Sequence, residues 1–89
     1  MDTLSIVAIS SIFSASAVVA IAGSFVAIAE GNIATEGMKS IAQQPDEANN
    51  ISKIMFISIA MIESCAIYAL VIAMILIFAN PFWSALIAK

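Results

Sequence analysis

Two long apolar runs separated by one polar stretch set the plan of the chain. From Thr3 to Ala29 no residue carries a formal charge, and from Ile54 to Ala79 only Glu63 does. A helix needs about 20 largely apolar residues to cross a bilayer, and both runs exceed that. Between them, Gln43-Gln44-Pro45-Asp46-Glu47-Ala48-Asn49-Asn50 is the only extended polar segment, and its Pro45 ends one helix and permits a new start just after it. The pattern predicts an all-α membrane protein, a single transmembrane hairpin over residues 1–89. Helix one is expected at about 3–42, a polar loop at about 43–48, helix two at about 49–79 and a C-terminal end at 80–89.

Finer patterning adds detail to each run. Ser5, Ser10, Ser11, Ser14 and Ser16 enrich the start of helix one, where hydroxyls bond back to the carbonyl one turn earlier or to a neighbour. Small residues recur at Ser16, Ala20, Gly23, Ala27 and Gly31, three or four apart, which lines them up on one helical face. Such a face lets another backbone approach closely in lipid, although simple alanine abundance gives a similar spacing. Polarity then rises through Glu30, Asn32, Thr35, Glu36 and Lys39 as the helix leaves the bilayer or lines a polar site. Phe78, Phe82 and Trp83 around Asn80-Pro81 resemble an interfacial aromatic belt. Lys39 and Lys53 flank the loop against a single Lys89 at the other end, which favours a cytoplasmic loop with both termini on the opposite side. Met1-Asp2 offers no basic region of the kind that precedes a cleaved secretory signal.

Composition narrows the class further. Of the 89 residues 63% are hydrophobic and 10% charged, a balance foreign to soluble domains of this size. So short a chain buries little core by itself and needs lipid and neighbouring subunits, so a homo-oligomer is expected. A net charge of -3 with three scattered Lys leaves no basic footprint for nucleic acid. One Cys and no His exclude a zinc site or a Cys/His nucleophile pair. Cys65, inside an apolar run, reads as a small packing residue, and Met55, Met61 and Met74 read as fillers of an apolar helix.

Glu63 is the residue that this composition makes conspicuous. A charge at the bilayer centre costs about 2.5–3.5 kcal/mol even on permissive insertion scales, and such residues mark ion or proton paths. If the hairpin turns within Asp46-Glu47, residues equally far from the turn lie at equal depth, and Glu30 falls opposite Glu63. Each is then about 16 residues, or roughly 25 Å of helix, from the turn, inside hydrocarbon. Two facing carboxylates in low dielectric cannot both stay ionised without a cation. The pair therefore needs a proton, a metal ion or both. Ser64 and Tyr68 add hydroxyl oxygens and the Met61 carbonyl another, a set suited to a hard cation such as Na⁺. Na⁺ on Glu63 and Glu30 with one carboxylate protonated leaves the site neutral. The plainer alternatives are a structural polar contact at Glu63, an interfacial carboxylate at Glu30, and mere packing of Ser64 and Tyr68.

With these residues in view, the chain resembles the c subunit of F-type rotary ATP synthases, the hairpin that assembles into the membrane rotor ring. The resemblance covers nearly the whole chain. It rests on Glu63-Ser64-x-x-Ile67-Tyr68, on Leu70-Val71-Ile72-Ala73 with the ending Phe78-Ala79-Asn80-Pro81-Phe82, and on the loop Ala42-Gln43-Gln44-Pro45-Asp46. It implies a closed cylindrical ring of hairpins in a bacterial plasma membrane, in contact with lipid. Glu63 would carry the ion past a stator a subunit, and Gln43, Gln44 and Pro45 would touch the central stalk. Gly23, Ala27 and Gly31 would pack ring neighbours. The resemblance makes the chain a non-catalytic, ion-translocating part of the complex. Sodium-coupled members surround the ion with a Gln in helix one, a Glu-Ser pair and a Tyr. Glu30 stands where that Gln lies, as in the two-carboxylate variant, and Ser64 is retained, which favours Na⁺ with H⁺ as the alternative. Cys65 replaces the Thr that helps hold a water there. The family's GxGxGxGxG pattern reads here as Gly23, Phe25, Ala27, Ala29, Gly31, which implies a wider ring, and the loop Arg of the family is Gln43.

Two other readings compete on the residues alone. A small pore-forming hairpin of the holin or viroporin kind would line a wet lumen with Glu63 and conduct passively. A purely structural two-helix subunit would tolerate Glu63→Gln.

Overall fold

A computed structural model describes residues 2–88. Met1 and Lys89, which entered the reading of the N-terminus and of the loop orientation, lie outside the described residues. The elements run α1 (Thr3–Gln43), a single 3₁₀ turn (Pro45–Glu47), α2 (Ala48–Phe78) and α3 (Pro81–Ile87). α1 and α2 lie side by side as a hairpin of extents 66 × 19 × 9 Å.

Local chemistry sets each boundary. Asp2 caps α1, its Oδ1 accepting the Ser5 N–H at 2.8 Å. α1 stops at Gln44, whose φ of -132° and ψ of 72° are non-helical because a residue before proline is pushed out of the α region. Pro45 then fits the first position of the 3₁₀ turn, where no N–H is needed, and Asp46 and Glu47 share that first turn. α2 ends at Ala79, and Asn80 starts a new helix. Its Oδ1 accepts N–H groups of Phe82 at 2.9 Å and Trp83 at 3.2 Å, with Pro81 at the first helical position. Within the C-terminal end, Pro81–Ile87 thus form a short helix of their own. The Asn-Pro pair that favours an aromatic anchor on composition also carries the capping chemistry of a third helix.

The seam between α1 and α2 is made of small side chains. α1 buries Ala15, Val26 and Gly37, and α2 buries Ala69 and Ala73. Of the three glycines, Gly37 is the one closely approached by the other helix. A β-carbon there would run into the Met55 side chain. The stripe Ser16, Ala20, Gly23, Ala27, Gly31 does not form this seam. It lies roughly 120° round the helix from the Ala15 line, and open space surrounds Gly23 and Gly31 where side chains would stand. Large apolar side chains point outward instead, among them Phe13, Phe25, Phe56 and Phe78, all exposed. That inverts the arrangement of a soluble domain. Both long helices are long and apolar enough to span a membrane, and their backbone groups are satisfied within each helix as hydrocarbon demands. At 1.5 Å per residue α1 is about 60 Å long, twice the roughly 30 Å of hydrocarbon, so the hairpin projects well beyond the core.

Candidate functional site

Polar side chains cross the seam at only two places among the described residues. The first is Glu30 with Glu63. α1 presents Glu30 half-buried at the edge of the seam, and α2 presents Glu63 on its exposed side. Their carboxyl groups lie within hydrogen-bonding reach of each other. Glu30 Oε1 is shut off from solvent and has no hydrogen-bond donor facing it. A carboxylate offers acceptors only, so a contact between two of them requires a proton on one or a cation between them.

The other candidate ligands are not gathered around that pair by a single chain. Ser64 lies about 100° round α2 from Glu63, and its Oγ donates to the Ala60 carbonyl at 3.2 Å. Tyr68, five residues on, is about 140° away and 71% exposed. Met61 and Cys65 are exposed as well. The Met61 carbonyl sits inside a regular helix that already uses it. No three His, Cys, Asp or Glu side chains cluster among the described residues. One hairpin therefore supplies two carboxylates, and any hydroxyl shell must come from the outward face of another copy or from rearrangement.

The second crossing is one that the apolar pattern does not announce. Asn80 is the one buried polar residue among the described residues, 7% exposed. Its Nδ2 donates to Ser11 Oγ on α1 and to the Leu76 carbonyl at 3.2 Å, while its Oδ1 caps α3. Gly37 likewise lies outside the expected packing positions. The signal for both is local: an Asn-Pro pair directly after an apolar helix, and a lone Gly facing a long flexible Met.

At the opposite end Gln43, Gln44 and Pro45 are exposed on the turn. Lys39 Nζ lies 3.5 Å from Glu36 Oε1 one turn earlier on α1, an exposed pair worth little in energy. Glu47 Oε2 accepts from Asn50 Nδ2 at 2.8 Å. Outside the spans, the Ser5 N–H holds the Asp2 carboxyl below the usual carboxylate range.

The family of the ATP synthase c subunit matches residues 13–76, which include both carboxylates and the turn. The chain is 46% identical over 76 residues to the second ATP synthase c subunit of Cereibacter sphaeroides, covering 85% of this chain and 92% of that one. It is 37% identical to the ATP synthase c subunit of Thermosynechococcus vestitus, over 89% of this chain and 96% of the relative. Against the ATP synthase c subunit of Dictyoglomus thermophilum identity is 39%, over 84% and 89%.

Proposed function

The chain belongs to the family of ATP synthase c subunits, and from that premise we propose that it carries Na⁺ on Glu63, with Glu30 as the second carboxylate of the site. Members of this family form a membrane ring that works with the other parts of the ATP synthase, translocating ions without catalysing the reaction themselves. The finer reading concerns the ion, the ligands and the partners.

One observation carries it: Glu30 Oε1 is enclosed, unpartnered and next to Glu63. A site that only took up and released a proton needs one carboxyl group. A second carboxylate at the same depth adds a desolvated charge whenever it is ionised, and a cation held between the two would balance it. One proton and one Na⁺ on two carboxylates make the site neutral, so the ring can turn through lipid without carrying a buried charge. Ser64 and Tyr68 of adjoining copies would supply neutral oxygens, and Gly23, Ala27 and Gly31 would let those copies approach. A cation on the stator a subunit would favour bare Glu63 and release the ion. Gln43, Gln44 and Pro45 would seat the central stalk through neutral hydrogen bonds, on the cytoplasmic side of a bacterial plasma membrane.

Carbodiimide modification of the purified ring across pH, with and without Na⁺, tests the ion. Na⁺ should slow modification of Glu63 where the cation competes with the proton. An identical rate with and without Na⁺ at every pH would replace Na⁺ by H⁺.

A further inference from the structure

We propose that Asn80 and Ser11 form a register lock that positions Glu63 against Glu30 for ion binding, a role that rests on the ion-carrying reading of that pair.

Glu63 is poorly held by its own surroundings. It lies about 100° round α2 from the line of residues that face α1, so a modest twist of α2 about its axis carries it out of reach of Glu30. The apolar seam resists such a twist weakly, because Ala69 and Ala73 present little more than β-carbons to α1. At the loop end, the Pro45–Glu47 turn and the contact of Met55 with Gly37 hold the two helices together. A hairpin fixed at one end alone still allows the far half of α2 to slide and rotate.

Asn80 supplies the second fixed point. It lies 17 positions beyond Glu63, about 25 Å along the helix, and nearly the same distance past the carboxylates as the turn lies before them. Its amide uses all its hydrogen-bonding capacity. Two N–H donors go to Ser11 on α1 and to Leu76 on α2, and the oxygen accepts twice from α3. The bond to Ser11 is directional, so it fixes both the height and the rotational phase of α2. Packing does not do this here. A cleft of about 370 Å³ lined by Ala8, Ser11, Leu76, Asn80 and Trp83 lies beside the pair. Ser11–Asn80, Glu30–Glu63 and Gly37–Met55 are all centred on the same turn, so one register satisfies the three.

Ser11→Ala removes the interhelical bond and leaves both caps of Asn80 in place. Asn80→Ser keeps an N-cap for α3 but is too short to reach Ser11. Modification of Glu63 by carbodiimide is followed against pH in assembled wild-type, variant and Glu30→Gln rings. Both lock variants should move the pH of half-maximal modification toward that of Glu30→Gln, by roughly half a pH unit, about threefold in proton affinity. The exchanged pair Ser11→Asn with Asn80→Ser, which can bond in the reverse sense, should restore part of that shift. The proposal is overturned if Ser11→Ala and Asn80→Ser both keep the wild-type profile, or if Glu30→Gln itself leaves it unchanged. Because the profile is read in protons, the outcome stands apart from the choice of Na⁺ or H⁺.

Discussion

The two polar crossings of the seam are built from opposite principles. Asn80 and Ser11 form a closed set: each donor of the Asn80 amide has an acceptor, and its oxygen caps two N–H groups. Glu30 and Glu63 form an open one, two acceptor groups side by side with Glu30 Oε1 facing no donor. In hydrocarbon an unsatisfied polar group costs several kcal/mol, so the first arrangement stabilises the hairpin and the second burdens it. A burden retained in a small hydrophobic chain points to a ligand that arrives from outside. Local structure thus separates a bond that holds the fold from a pair left open for a proton or a cation.

The largest expected effect comes from closing the open crossing. Glu63→Gln places an amide donor next to Glu30 Oε1 and turns the pair into a satisfied contact of the Asn80 kind. Ion transport coupled to ATP hydrolysis should be lost entirely in the reconstituted complex, while the ring resists heat at least as well as wild type. Retained coupling would mean that Glu63 is a structural contact, and lowered heat resistance would mean that the native pair is not a burden.

Opening the closed crossing should act in the reverse sense. Asn80→Leu removes the cap of α3 and leaves the Ser11 hydroxyl and the Leu76 carbonyl without their partner. The expected loss is about 2 kcal/mol. It should appear as earlier loss of helicity on heating the detergent-solubilised protein. Unchanged melting would show that lipid-like surroundings satisfy these groups as well as Asn80 does, and the contrast between the two crossings would then collapse.

These crossings also mark how far the chain can be read without its structure. The meeting of Glu30 with Glu63 was legible, because helical rise is fixed and a single proline-marked turn determines which residues share a depth. The spans were legible for the same reason: lipid imposes a length and a composition. Gly37 and the Ala15, Val26, Ala69, Ala73 seam were not, since alanines and glycines occur on every side of these helices and only the rotational phase of one against the other selects among them. The stripe containing Gly23 and Gly31 was visible in the spacing, yet it faces away from the partner helix within the chain. α3 was hidden by the apolar look of Phe82-Trp83, although Asn80-Pro81 carries its start signal. The hydroxyls of Ser64 and Tyr68 follow Glu63 closely in sequence but diverge from it by about 100° and 140° in space, a consequence of helical geometry that linear proximity disguises.

Asp2 gives the smallest test and shows what burial adds to a cap. Like Asn80 it satisfies the start of a helix, but it is exposed and outside the spans. Its ionised form is favoured by the Ser5 N–H, so its folded pKa lies below the unfolded one. The sign follows: the contribution to helix stability is complete above the ordinary carboxylate range and is lost as pH falls through the lower, folded value. Protection of the Ser5 amide against hydrogen exchange should therefore decline at acid pH. Asp2→Asn caps through a neutral amide oxygen and should remove that decline while leaving protection at neutral pH nearly as it was. Ion transport should be unaffected in Asp2→Asn. If the decline survives in Asp2→Asn, the fraying of the first turn is governed by something other than this carboxylate, and the exposed cap contributes less than its geometry implies.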